Sequence, residues 1–174
     1  MVQEDTRPAV EDPVRRQRYR FEQPRDGAQV LEVWVDPKGN VPLHLHPSQS
    51  ERFEMLEGEV TFRAGSNTVV AGPGEVVEVP PQTKHRFVNK SGATAHMRVT
   101  VTPPGRIQAT LEDAAALARA GRMNRLNLPT SPGAALDLAL FAKRYSDETV
   151  VLNPPRVLQR LLMEPLARLA ERRR

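Results

Sequence analysis

The sequence predicts an all-β fold, a jelly roll or barrel of short antiparallel strands over residues 17–104, followed by a C-terminal α-helical extension over residues 105–174. Two observations carry this reading. Short runs of alternating apolar and polar residues recur from Tyr19 to Thr102, separated by turns rich in glycine and proline, which is the pattern of half-buried strands in an antiparallel architecture. That pattern stops at Pro103-Pro104-Gly105, beyond which alanine and leucine fall at helical spacing.

Ahead of the strands, residues 1–16 mix charges with Pro8 and Pro13 and show no periodicity, so a flexible N-terminal arm is expected there, available to pack on a partner subunit. Residues 19–21 read as a first strand. Over residues 29–35, Leu31, Val33 and Val35 alternate with Val30, Glu32 and Trp34 and are expected to face inward. Asp36-Pro37-Lys38-Gly39 is a turn, and residues 41–46 form a strand that sets Leu43 and Leu45 opposite His44 and His46. In the next strand Glu51, Phe53 and Met55 share one face against Arg52, Glu54 and Leu56. Glu57-Gly58 turns the chain into residues 60–64, and Gly65-Ser66-Asn67 makes a hairpin tip before residues 69–71. After Gly72-Pro73-Gly74 come strands at 76–79 and 84–89, the latter with His85, Phe87 and Asn89 on one face. The last strand, 94–102, sets Ala95, Met97, Val99 and Val101 against His96, Arg98, Thr100 and Thr102.

In the extension, Thr110-Leu111-Glu112-Asp113 has the form of a capping box. It is expected to open a helix ending near Gly121, with Leu111, Ala114, Ala115, Leu117 and Ala118 on its apolar side. Ser131 with Pro132 should open a second helix that reaches about Tyr145 through Leu136, Leu140 and Phe141. A third is expected from about Pro154 and Pro155, carrying Val157, Leu158, Leu161, Leu162, Leu166 and Leu169, with a kink at Pro165. It is amphipathic and basic, and it is expected to pack on the barrel or across a dimer in preference to a membrane surface.

The residues that carry chemistry lie in the middle of the β-region. Residues i and i+2 of a strand project from the same face, so His44 and His46 can aim at one point. The turn Pro47-Ser48-Gln49-Ser50 would return Glu51 beside them, and His85 on another strand offers a fourth donor. Three imidazoles and a carboxylate suit one divalent transition metal, whether iron, manganese, nickel, cobalt, copper or zinc. They leave positions of an octahedral ion open to water, dioxygen or substrate. His96 shares its face with Arg98 and Thr100 and is expected to lie outside the ligand set. Phe53, Met55, Phe87 and Met97 are expected to form the core and, with it, the wall of a substrate pocket.

These residues resemble the two motifs of the cupin superfamily. His44, His46, Glu51 and Gly58 fit the first motif, with Gly39 one residue nearer His44 than the family pattern has it. Gly74, Pro80, His85 and Asn89 fit the second, with Gln82 where the family usually has a glycine. The resemblance covers about residues 28–102. It implies a small mono-cupin, similar to quercetin-dioxygenase-like proteins, with a metal held by His44, His46, Glu51 and His85.

Composition bounds the function. A chain of 174 residues can bury roughly 70% of its unfolded surface and needs no covalent staples. With no cysteine it has neither disulfides nor thiolate chemistry. The net charge of +4 comes largely from arginines near the two ends, and with two tyrosines and one tryptophan there is no base-stacking motif, so nucleic acid is not an expected partner. No apolar run has the length of a signal peptide or a membrane span, so a cytoplasmic protein with no membrane partner is expected. Outward apolar residues such as Val30, Trp34 and Val76 suggest a homodimer through the β-region. The expected function is a metal-dependent oxygenase acting on a small, partly apolar organic molecule. The alternative is a non-catalytic, metal-stabilised binding or sensor domain whose helical tail serves as a partner surface.

Overall fold

The computed structural model describes residues 9–152. Its strands in chain order are β1 (Val10–Asp12), β2 (Gln17–Phe21), β3 (Gln29–Val35), β4 (Asn40–Leu45), β5 (Ser50–Glu57), β6 (Val60–Ala64), β7 (Asn67–Ala71), β8 (Val76–Val79), β9 (His85–Val88) and β10 (Ala95–Thr102). Two helices follow, α1 (Ile107–Arg119) and α2 (Pro132–Arg144), and then a short strand, β11 (Val150–Val151). The strands form a six-stranded sheet in the order β1-β2-β3-β10-β5-β8 and a five-stranded sheet in the order β11-β4-β9-β6-β7. All the ladders are antiparallel, and from β3 to β6 and again from β7 to β10 successive strands alternate between the sheets. This is a jelly roll, with the two sheets remaining separate and not closed into one hydrogen-bonded barrel.

The core follows the alternation. Leu31, Val33 and Val35 of β3, Phe53 and Met55 of β5, and Met97, Val99 and Val101 of β10 are buried, and so are Val60, Phe62 and Phe87 from the other sheet. Burying each such large side chain contributes about 1.5–3 kcal/mol, so the shared inner face is the main source of cohesion. Asn89 is buried too, but its amide donates to the carbonyls of Val35 and Ala93, both at 2.8 Å, and so ties the end of β9 to β3. Several turns take left-handed backbone, and two of them bear on the strands around the site. Gly58 has φ +69°, and a Cβ there would collide with the backbone of Ala95. Gln82 takes φ +63° at the position where the sequence pattern leads one to expect glycine.

Four expectations are corrected. The N-terminal arm is not loose over residues 10–16, because β1 pairs with β2 and the carboxylate of Asp12 accepts from the backbone N–H groups of Val14 (3.0 Å) and Arg15 (2.9 Å). Val14 packs on Ala118, Met123 and Leu138, and a guanidinium nitrogen of Arg119 reaches the carbonyl of Glu11 at 2.6 Å, so the helices hold this segment down. Thr110 does not cap α1. The helix starts at Ile107, and Thr110 lies buried in its first turns with its hydroxyl donating to the Arg106 carbonyl at 3.0 Å. In α2 the Ser131 hydroxyl does accept from the Ala134 N–H at 3.1 Å, but the buried face is Ala134, Leu138 and Ala139, while Leu136, Leu140 and Phe141 are only half-buried. Finally, β11 adds an unexpected strand beside β4, with Val150 opposite Leu45 and Val151 opposite His44. The expected third helix, with Val157 to Leu169, lies outside the described residues. Among those residues no helix is long and apolar enough to cross a membrane.

Candidate metal centre

The β4–β9 ladder places His44 directly opposite His85, with ring centroids 4.1 Å apart. His46 follows β4 by one residue and keeps the same facing, 4.9 Å from His44 between centroids. Glu51 comes from the opposite sheet, where β5 begins. Its Oε2 lies 2.7 Å from His85 Nε2 and 3.5 Å from His46 Nε2. One potential ligand atom from each of the four residues falls within 4.8 Å of all the others, and none of the four residues is more than 8% exposed.

Each imidazole is oriented through its Nδ1. In His44 and His85 the partner is the carbonyl two residues earlier, Pro42 and Thr83, both at 2.9 Å. In His46 it is the carbonyl of Glu148, at 2.7 Å and 102 residues later in the chain. An Nδ1–H donated to a carbonyl leaves the Nε2 lone pair free to face the cluster, which is the tautomer a metal requires.

The electrostatics agree with that requirement at His44 and Glu51, whereas His85 is drawn toward its protonated form by the carboxylate beside it. Burial, reinforced by the charge of His85, pushes His44 down to about 3, so its ring is neutral. For Glu51, burial acts to raise the carboxyl but is outweighed by the short contact with His85 and the charges of the imidazoles, which hold it at about 2. For His85, burial acts to lower the ring, yet the contact with Glu51 and its charge raise it overall. Despite their proximity, Nε2 of His46, Nε2 of His85 and Oε2 of Glu51 are buried and make no directed hydrogen bond. Orphaned buried acceptors converging on one point are what a cation would satisfy, so the residues fit a metal ion.

The four expected wall residues lie at two depths. Phe53 is near the cluster, 6.4 Å from the His85 ring, and Phe87 follows His85 by two residues on the same face. Met55 pairs in register with Met97 farther down the inner face, about 13 Å along the strand from Glu51 at the usual rise per residue. Sequence reasoning did not single out Phe62, which packs on both Phe53 (5.2 Å) and Phe87 (5.5 Å), although its place in the β6 alternation was readable. It also did not find Glu148, whose contribution is a backbone carbonyl and has no signature in side-chain pattern. His96 lies outside the cluster, on the outer face of the six-stranded sheet, where it meets Glu32 at 2.5 Å and stacks on Trp34 at 4.5 Å.

With this geometry in view, comparison with known proteins adds three kinds of similarity. A family model described as the cupin domain matches residues 31–102. That stretch is less than half of the chain. Among solved structures the fold is similar to KdgF from Halomonas sp., at 13% identity and a TM-score of 0.54 over 59% of this chain and 91% of that one. It is similar to an RmlC-like cupin from Shewanella frigidimarina at 16% identity and a TM-score of 0.54, over 59% and 89% of the two chains. Among curated proteins the sequence is similar to germin-like protein 1 of Brassica napus, 28% identical over 71% of this chain and 50% of that protein. The chain thus spans about half the length of that relative. The cupin match ends at Thr102, so α1, α2 and β11 lie outside it, as do Glu148 and Thr149, which meet the His46 ring.

Proposed function

We propose that the chain is a metal-dependent cupin that holds one divalent transition metal through His44, His46, Glu51 and His85. In this reading it acts as an oxygenase, incorporating oxygen from dioxygen into a small, partly apolar organic molecule. The observation that carries the reading is the convergence of four buried donors within 4.8 Å, three of whose atoms lack a hydrogen bond. Each unsatisfied buried polar atom costs about 1–3 kcal/mol, so the arrangement is costly unless something binds there. When bound, a metal of the iron-to-zinc group supplies a Lewis-acid centre with positions left open for a substrate oxygen or dioxygen. The protein supplies the rest. Carbonyls fix the imidazole tautomers, while Phe53, Phe62 and Phe87 present an apolar wall that excludes water from one side of the site and suits a partly apolar substrate.

A second reading, a metal-stabilised binding or sensor domain, is favoured by one observation. Among the described residues the clustered histidine and carboxylate groups at the site are the four candidate ligands themselves, so no separate acid–base group stands out there. Elemental analysis of protein purified without added metal, followed by oxygen-electrode measurements with small oxygen-bearing aromatic and aliphatic compounds, separates the two. About one metal per chain with oxygen uptake matched to substrate loss supports the oxygenase. Metal with tight binding, unchanged substrate and no oxygen uptake moves the protein to the second reading, and absence of metal overturns the centre.

A further inference from the structure

We infer that the segment following α2 is a strap that sets the orientation of His46, so that the helical extension is a working part of the metal centre. This rests on the metal reading above and adds a positioning element outside the cupin domain. Two of the three imidazoles carry their orienting carbonyl on their own strand, two residues earlier. His46 has no such local partner. Its own carbonyl accepts from the Gln82 N–H at 2.7 Å, and its Nδ1 depends on the Glu148 carbonyl, with the Thr149 hydroxyl at 3.5 Å beside it.

The strap is fixed at both ends. At the start, the backbone N–H groups of Glu148 and Thr149 both donate to the Tyr145 carbonyl at 3.0 Å, which anchors them to the end of α2. At the far end, β11 pairs with β4 and the Leu152 N–H donates to the Leu43 carbonyl at 3.0 Å. Between these points the Glu148 carboxylate, largely buried, accepts from Arg106 at 3.3 Å, and the same guanidinium holds Asp147 at 2.5 Å. The peptide between Glu148 and Thr149 is therefore held on the ligand strand and on both helices at once. A carbonyl so placed can keep the His46 proton on Nδ1 and Nε2 toward the ion. Partners of this kind commonly change metal affinity by about 10–100-fold when lost.

The test uses the full chain and three substitutions. Thr149→Pro removes the N–H that anchors this peptide and restricts the residue before it. Glu148→Gly removes the Arg106 tether and frees the same peptide, and it decides the matter should Thr149→Pro lose cooperative unfolding. Glu148→Gln keeps an acceptor for Arg106 and is the rescue. Two readouts are taken: cobalt(II) affinity with its visible spectrum, and the His46 tautomer in metal-free protein from long-range proton–nitrogen correlations. The expected result is roughly tenfold weaker cobalt binding with an altered spectrum and a His46 proton redistributed toward Nε2, both restored in Glu148→Gln. Wild-type affinity, spectrum and tautomer in the folded Thr149→Pro or Glu148→Gly protein overturn the strap. Failure of the wild-type chain to bind cobalt overturns the metal reading instead, and the tautomer measurement still decides the strap.

Discussion

His44 and His85 face each other in register across the β4–β9 ladder, each with its Nδ1 on the carbonyl two residues before it. Such a pair is set by strand pairing, so loss of either ring should empty the centre without dismantling the sheet. His85→Ala and His46→Ala are expected to lose stoichiometric metal. The wild type should show a metal-dependent rise in unfolding temperature that a chelator abolishes, since an ion that binds only the folded state stabilises it. Full metal occupancy in His85→Ala, measured by elemental analysis, would remove that residue from the ligand set.

His96 provides the internal control. It sits on the outer face with Glu32 and Trp34, and its substitution by alanine is expected to cost about 1 kcal/mol or less while leaving metal content unchanged. A metal loss as severe as that of His46→Ala would contradict the facing of β10.

Gln82 holds a left-handed conformation beside the candidate ligand His46, to whose carbonyl its N–H donates. Relief of that strain, partly offset by the greater unfolded-state freedom of glycine, predicts that Gln82→Gly stabilises by about 0.5–1 kcal/mol. Denaturant unfolding of the two metal-free proteins measures it, and a destabilised variant would show that the glutamine side chain makes a compensating contact.

The two tyrosines report on the fold at high pH. Burial raises Tyr19, with Arg15 opposing and Asp12 adding to the shift. Burial also raises Tyr145, whose hydroxyl donates to Asp113 at 2.6 Å. A raised phenol contributes stability that is fully present below the free value near 10 and is lost as pH rises toward the folded value. Ultraviolet titration should therefore show both rings ionising above the free value, with the Tyr19 phenolate arriving together with unfolding. Ordinary titration of both rings in intact protein would refute this.

Val69 and Val70 of β7 and Val76 of β8 are 43%, 54% and 42% exposed, on strands at the free edges of the two sheets. Trp34, by contrast, is packed between Arg20 and His96 of its own sheet. We propose that a second copy of the chain covers the valines. Light scattering at micromolar concentration should give a dimer, and the Val70→Lys/Val76→Lys double variant should halve the mass. A monomeric wild type ends the proposal.

The fold was legible wherever the signal was local. Period-two alternation placed Leu31, Val33, Val35, Phe53 and Met97 inward, and the spacing of His44, His46, Glu51 and His85 brought together four donors that the structure also brings together. What was missed depends on contacts distant in sequence. Val10-Glu11-Asp12 has no alternation to read, and its order comes from Asp12, the neighbouring strand and α1. Thr110 imitates a cap because its hydroxyl competes for backbone partners inside a helix as readily as at an end. Val150-Val151 is too short to show any period, so the strand that flanks the centre could not be seen.

The 102-residue separation of His46 from its carbonyl partner also bears on assembly. Contacts between distant segments form late, because a long loop must close before they repay its entropy. During synthesis β3, β10 and β5 of one sheet and β4, β9 and β6 of the other can pair once Thr102 has emerged, with two imidazoles oriented on their own strands and the third still without its carbonyl partner. Under the metal reading, tight loading of an ion would then wait until residues 148 and 149 have been made and docked on β4, after the two sheets have formed.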